Sequence, residues 1–242
     1  MRIVYLDNAA TSGKISDGVR KVIESTLLCG LTNAGRGSHS LSSNAEREVY
    51  LCRKILSKTF NNGAIERVVF TANCTEALNV AIFGLAKNLA KKSDRRKIVV
   101  DVTNHNSVLR PLYELERNGY ELVFVTPGEK PYVTKSDILK KTDENVLFVC
   151  MNAVSNVTGY KNEFEEVGKE LKKLGVPLIV DGAQAGGHMK IDMIESGIFA
   201  LCLAGHKGLG ATQGSGVLIF TKDAEISPVL FGGSGGESFS PY

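Results

Sequence analysis

The chain has 242 residues, of which 43% are hydrophobic, so it is long enough to bury one substantial core. Its formal net charge is only +3, and the densest basic run, residues 91–97, contains no aromatic side chains, which argues against a nucleic-acid partner. No stretch approaches the roughly 18 apolar residues of a membrane span, and the N terminus lacks a secretion signal, so we expect a cytoplasmic protein that binds no membrane.

Two helices are predicted before the first strand. Apolar side chains recur at helical spacing over residues 15–29, and Gly30 follows as a helix stop. A second periodic segment covers residues 43–60 and opens with Ser43 and Glu46 in the spacing of a capping box.

Strands and helices alternate from residue 68 onward. Runs that are apolar on both faces precede helical patterns, which indicates a parallel sheet covered by helices on both sides. The last two runs are joined by about a dozen residues without a helical pattern, so the final strand is predicted to be antiparallel. The predicted fold class is therefore α/β, with three α/β/α layers and a mostly parallel sheet. The predicted strands are residues 68–71, 98–102, 122–125, 146–150, 178–180, 199–203 and 216–220, and the later helices lie near residues 75–90, 106–117, 136–141 and 162–174.

Polar residues follow five of these strands directly. Open α/β sheets bind ligands beyond the carboxyl ends of their strands. Each residue alone could simply hydrogen-bond a loop, but five such groups at one edge of the sheet indicate a binding site. The groups contain Cys74 with Thr75, His105, Asn156, Asp181 with Gln184, and His206 with Lys207.

The chemistry of these residues suits pyridoxal 5′-phosphate. The turn before Thr75 opens a helix, whose free N–H groups attract a phosphate, although Thr75 could be only the helix N-cap. Asp181 ends an apolar strand, and its buried carboxylate needs a partner such as a protonated pyridine nitrogen, with a helix N-cap as the structural alternative. Lys207 lies between an apolar strand and a glycine-rich stretch, where an amine can act as a nucleophile.

The remaining residues of this set allow more than one interpretation. His105 could stack on a cofactor ring or be a hydrogen-bonded loop residue. Gln184 and Asn156 are suited to bind a phenolic oxygen. The five cysteines are odd in number and lack close spacing, so neither a metal site nor a disulfide framework is expected.

Six ordered segments resemble the class-V aminotransferases, specifically the cysteine desulfurase and selenocysteine lyase group. The resemblance implies the large domain of a fold-type I enzyme that uses pyridoxal phosphate. It also implies a homodimer, a cysteine-like amino-acid substrate and a sulfur-acceptor protein. The segments are residues 5–11, 69–79, 105–107, 155–159, 180–184 and 205–207.

The resemblance also assigns roles at the site. Lys207, Asp181 and His105 become the catalytic candidates: Lys207 holds the cofactor as a Schiff base, Asp181 binds the pyridine nitrogen and His105 stacks on the ring. The other roles implied are Gln184 at the phenolic oxygen, Asn156 near ring and substrate, and Thr75, His206 and the backbone of Cys74 at the phosphate. Ala204 stands where the family usually has a serine, which removes one phosphate donor.

The same comparison divides the chain into an N-terminal arm (1–14), a cofactor-binding large domain (15–231) and a glycine-rich stub (232–242). In the family, a following small domain carries the sulfur-accepting cysteine and the arginine that binds the substrate carboxylate. Chain 1–242 stops before both, so impaired activity is expected. An aminotransferase, another amino-acid lyase on this scaffold and a non-catalytic cofactor-binding remnant remain alternatives.

Overall fold

A seven-stranded sheet forms the centre of the molecule. The computed structural model describes residues 4–29, 32–35, 37 and 39–232. The spatial order of the strands is β1-β7-β6-β5-β4-β2-β3, and only β7 runs antiparallel to its neighbours, which confirms the predicted mixed sheet. The strands are β1 (Val68–Thr71), β2 (Lys97–Asp101), β3 (Glu121–Val125), β4 (Val146–Asn152), β5 (Leu178–Asp181), β6 (Ala200–Ala204) and β7 (Gly216–Phe220).

Helices cover both faces of the sheet. Successive strand residues point to opposite faces, so Ile179 packs with α3 and α4, while Val180 packs with α5 and α6 on the other side. The predicted three-layer α/β/α arrangement is confirmed. The helices are α1 (Asp17–Cys29), α2 (Ser40–Phe60), α3 (Cys74–Leu89), α4 (Asn106–Arg117), α5 (Lys135–Leu139), α6 (Phe164–Lys173) and α7 (Met193–Ser196).

The start of α2 differs from the prediction. The helix begins at Ser40, and His39 caps it by accepting the Ser42 N–H at its Nδ1 (3.2 Å). The capping box predicted at Ser43 and Glu46 is therefore wrong, because both residues lie inside the helix. Histidine is an uncommon cap and gives little signal in a sequence. Gly30 and residues 233–242, most of the predicted stub, lie outside the described residues.

The first two helices leave apolar side chains uncovered. No residue of α1 is buried, and Val22 is 64% exposed although it lies on the predicted apolar face. On α2, Tyr50 and Ile55 are also exposed. The helical period was predicted correctly, but the described residues provide no cover for this face. None of the helices in the described ranges is both long and apolar enough to cross a bilayer.

The segment before α1 packs against the loop that follows β6. The Ser12 N–H donates to the His206 carbonyl (2.9 Å), and Ser12 Oγ donates to the Lys207 carbonyl (2.8 Å). Gln184 Nε2 donates to the carbonyl of Ala9 (3.0 Å). These contacts join positions up to 195 residues apart and place the segment beside the carboxyl ends of β5 and β6.

Candidate active site

A cavity of about 460 Å³ opens at the carboxyl ends of β4, β5 and β6. This volume lies in the range of small-molecule sites, roughly 300–1,000 Å³. The structure brings together all eight residues that the sequence placed in a site, because parallel strands end at the same edge of a sheet. They are Cys74, Thr75, His105, Asn156, Asp181, Gln184, His206 and Lys207. Asp7, Asn73, Ser107 and Asn152, to which the sequence gave no role, also line the cavity.

Asp181 presents a buried carboxylate with one free oxygen. Its Oδ1 accepts the Ala183 N–H (3.0 Å) and the Cys74 thiol (3.6 Å), whereas no described residue donates to Oδ2. Burial raises the pKa of this carboxyl, and the two hydrogen bonds together with the charges of Lys207 and His105 act in the opposite direction. The alternative role as a helix N-cap is wrong, since turns rather than a helix follow Asp181.

The N terminus of α3 offers two unpaired N–H groups to the cavity. Asn73 is the N-cap and accepts the Glu76 N–H at its Oδ1 (2.8 Å), so the interpretation of Thr75 as the cap is wrong. The N–H groups of Cys74 and Thr75 have no acceptor in the described part of the chain. Such groups, at the positive end of a helix dipole, bind anions. The turn therefore has the free donors that the predicted phosphate site requires, and the phosphate site itself stays a prediction.

His105 both lines the cavity and caps α4. Its Nδ1 accepts the Ser107 N–H (3.1 Å) and lies 2.8 Å from Ser107 Oγ. Because Nδ1 is an acceptor, the neutral ring carries its proton on Nε2. The interpretation as a hydrogen-bonded residue is confirmed, and stacking on a cofactor ring stays a prediction that this position in the cavity wall allows.

Lys207 lies in a tight turn after β6. Gly205 makes this turn possible, because a Cβ there would lie 2.2 Å from Ser215 Oγ. No carboxylate of the described residues forms an ion pair with the Lys207 amine. Burial and the charge of Lys207 lower the pKa of His206, whose Nδ1 lies 3.0 Å from Thr11 Oγ1. The amine is therefore available to a molecule in the cavity.

A buried polar network beneath the cavity was not predicted. Asp101 Oδ1 accepts the N–H and the hydroxyl of Thr103 (2.6 and 2.5 Å), and Oδ2 accepts the Asn152 N–H (3.0 Å) and Asn104 Nδ2 (3.1 Å). Asn104 immediately precedes His105, so the network holds the loop that carries this ring. Asp101 ends an apolar strand just as Asp181 does, and this shared pattern in the sequence could have indicated a buried polar network at Asp101.

The buried carboxyl of Asp101 should make the stability of the protein depend on pH. Burial raises the pKa of its carboxyl to about 6, against the hydrogen bonds from Thr103 and Asn152. The native state then binds this proton more tightly than the unfolded state does. The free energy of unfolding is therefore highest below about pH 4 and falls by about 3 kcal/mol as the pH rises past 6. We expect wild type to lose about 2.5 kcal/mol of this amount relative to Asp101→Asn in urea unfolding between pH 4 and pH 7.

Asp143→Asn is the matched control for that measurement. Asp143 is an exposed aspartate whose hydrogen bond to Lys97 lowers the pKa of its carboxyl, so its pH effect has the opposite sign. Parallel stability curves for wild type and Asp101→Asn would contradict the assignment.

The fold and the cavity together define an α/β domain that presents an amine, a buried carboxylate and a helix N terminus with free N–H groups at one sheet edge. The described residues contain no cluster of three or more His, Cys, Asp or Glu suited to hold a metal ion.

Comparisons with known proteins place this domain in a family. The Aminotransferase class-V family matches residues 4–241. A probable cysteine desulfurase of Pyrococcus abyssi is 34% identical over 234 residues, which are 96% of this chain and 57% of that protein. The apo structure of a cysteine desulfurase from Thermococcus onnurineus NA1 superposes with a TM-score of 0.86 at 30% identity, covering 96% of this chain and 57% of that one. The structure of DndA from Streptomyces lividans gives 0.83 at 29% identity, covering 97% and 66%.

The chain belongs to the class-V aminotransferase family, as the sequence motifs indicated. It spans about 57% of the length of the Pyrococcus and Thermococcus relatives.

Proposed function

We propose that the cavity binds pyridoxal 5′-phosphate and that the chain carries the cofactor-binding part of a cysteine desulfurase-type enzyme. The observation that carries the proposal is the free oxygen of the buried Asp181 carboxylate in the same cavity as the Lys207 amine. A buried carboxylate without a cationic partner is unfavourable, and a protonated pyridine nitrogen supplies that partner.

The donors present fit the other groups of the cofactor. The free N–H groups of Cys74 and Thr75 suit the phosphate, and the Thr75 hydroxyl and His206 line the same cavity. Gln184 and Asn156 are amides that suit the phenolic oxygen, and His105 offers a planar ring for stacking. When bound, the cofactor supplies an electron-withdrawing ring that stabilises a carbanion next to the amino group of an amino acid.

The chain's own residues bind the cofactor and move a proton. Lys207 Nζ would hold the cofactor covalently, and the same amine would be the base for a proton at the α-carbon of an amino-acid substrate. Asp181 would hold the pyridine nitrogen through its free oxygen and stabilise a proton there. His105, held by Ser107, would form one wall of the cofactor site.

The names of the relatives support a substrate class. Those named above include a probable cysteine desulfurase at 34% identity, which supports a cysteine-like amino acid as the substrate. A sulfur-acceptor protein is proposed as the partner. Transamination or another lyase reaction on the same scaffold remains the second candidate, because the residues that hold the cofactor serve these reactions equally.

Assembly, location and domain division belong to the same proposal. A homodimer is supported by the exposed apolar side chains of α1 and α2, which a second copy would cover. Five free cysteines fit a reducing cytoplasm. The arm (1–14), the large domain (15–231) and the stub (232–242) are proposed as the divisions of the chain.

A titration with the cofactor tests this function. Purified protein given pyridoxal phosphate should develop a visible absorbance band that free cofactor lacks. L-Cysteine should change that band more than other amino acids do, whereas equal spectral changes with several amino acids would favour the second candidate. A folded protein that develops no band would overturn the proposal.

A further inference from the structure

The thiol of Cys74 touches the carboxylate at the centre of the site. Cys74 is the first residue of α3 and is 8% exposed. Its Sγ lies 3.6 Å from Asp181 Oδ1 and donates a hydrogen bond to it. The phosphate role proposed above uses only the backbone of Cys74, so the side chain has no part in it.

The thiol is suited to be a donor rather than a nucleophile. Burial, and second the Asp181 carboxylate, raise the pKa of Cys74 well above its ordinary value. The sulfur therefore keeps its proton at neutral pH and directs it at the one acceptor beside it.

Two donors act on the same oxygen of Asp181. The Ala183 N–H comes from the turn after β5, and the Cys74 S–H comes from α3, a different element of the fold. Two donors from separate elements restrict rotation of the carboxylate about its χ2 angle. Oδ2 is then the oxygen left for a group in the cavity.

We infer that Cys74 is a positioning residue, whose thiol orients the Asp181 carboxylate and favours its ionised form for the cofactor's pyridine nitrogen. This inference rests on the proposed function.

A purely structural role is the alternative. Cys74 also belongs to the apolar cluster that contains Leu78 and Ala204, so the side chain could serve only to fill space there. Serine and alanine separate the two roles, because serine keeps a donor whereas alanine removes it. If Cys74 only fills space, both variants should behave alike.

Cys202→Ala is the matched control. Cys202 is a buried cysteine paired in register with Asp181 on the neighbouring strand, and its thiol forms no hydrogen bond with Asp181 in the described structure. The titratable groups around Asp181 are Cys74, Cys202, Lys207, His105 and Asp101, so each variant leaves all but one of them in place.

The experiment measures cofactor affinity and its pH dependence in the four proteins. Cys74→Ala should weaken the binding of pyridoxal phosphate about fivefold to tenfold, the effect of losing one hydrogen bond of ordinary strength, because a thiol is a weak donor. Because the lost donor favoured the ionised carboxylate, the acid limb of the binding curve should move to higher pH. Cys74→Ser and Cys202→Ala should stay within about twofold of wild type, by the same reasoning.

The outcomes distinguish this inference from the proposed function. Wild type that binds no cofactor overturns the proposed function, and the carboxyl NMR titration of Asp181 in the cofactor-free protein then tests Cys74 alone. There, Cys74→Ala should raise the pKa of Asp181 and Cys74→Ser should restore it. The positioning role is overturned if Cys74→Ala leaves cofactor affinity and the pKa of Asp181 unchanged. It is also overturned if the alanine and serine variants change these quantities equally. If Cys74→Ala does not fold, Cys74→Val removes the donor while filling the space.

Discussion

Replacing Lys207 with alanine is expected to abolish the covalent attachment of pyridoxal phosphate. Lys207 is the amine that lines the cavity with the free Asp181 oxygen, and it forms no ion pair with a described carboxylate. Borohydride reduction followed by peptide mass spectrometry should place the reduced cofactor on Lys207 in wild type and nowhere in the variant. The visible absorbance band of the bound cofactor should also be absent from the Lys207→Ala variant.

Two further variants separate the covalent link from the charge. Lys207 favours the ionised form of Asp181, so alanine also weakens non-covalent binding. Lys207→Arg keeps the positive charge but cannot form the link, and should retain more cofactor than alanine does. Lys222→Ala, an exposed lysine after β7 at the opposite end of the sheet, should behave as wild type. A reduced adduct on any other lysine would show that the assignment is wrong.

Asp181→Asn is expected to reduce cofactor affinity by at least two orders of magnitude. Removing one member of a buried charge pair costs roughly 3–5 kcal/mol, and here the partner is the cofactor rather than a protein group. Asparagine keeps the shape and can still accept the Ala183 N–H, so the fold should survive. Equilibrium dialysis with pyridoxal phosphate measures the loss.

The cofactor-free form of this variant provides the decisive comparison. Burial raises the pKa of Asp181, so the ionised carboxylate destabilises the cofactor-free protein as pH rises. Asp181→Asn should therefore unfold at the same or a higher urea concentration than wild type at pH 7 without cofactor, and at a lower one with it. If Asp181→Asn lowers stability to urea equally with and without cofactor, Asp181 is a structural residue.

The strands and the site could be predicted because both depend on local patterns. Each buried strand is apolar on both faces, and its first polar residue marks its end, so Asp181 was placed correctly to within one residue. Since parallel strands end at one edge, the order of the chain alone brought His105, Asp181 and Lys207 together.

What escaped prediction depends on contacts between distant segments. The Asp101 network needs β2 and β4 as neighbours, which the sequence does not reveal. The contacts of Ser12 with the Lys207 turn span almost the whole chain. The exposure of α1 could not be predicted either, because its apolar period is the same whether or not a partner covers it.

The place of β7 between β1 and β6 dictates an order of folding. The edge strand β1 pairs only with β7, which is synthesised about 150 residues later, so closing this loop is entropically costly and slow. A nascent chain that ends before residue 216 has no partner for β1, and Val69 and Phe70 then offer an open, apolar edge to chaperones and proteases. Ser12 likewise reaches its acceptors only after Lys207 has emerged from the ribosome, so the N-terminal wall of the cavity assembles late although its own residues are made first.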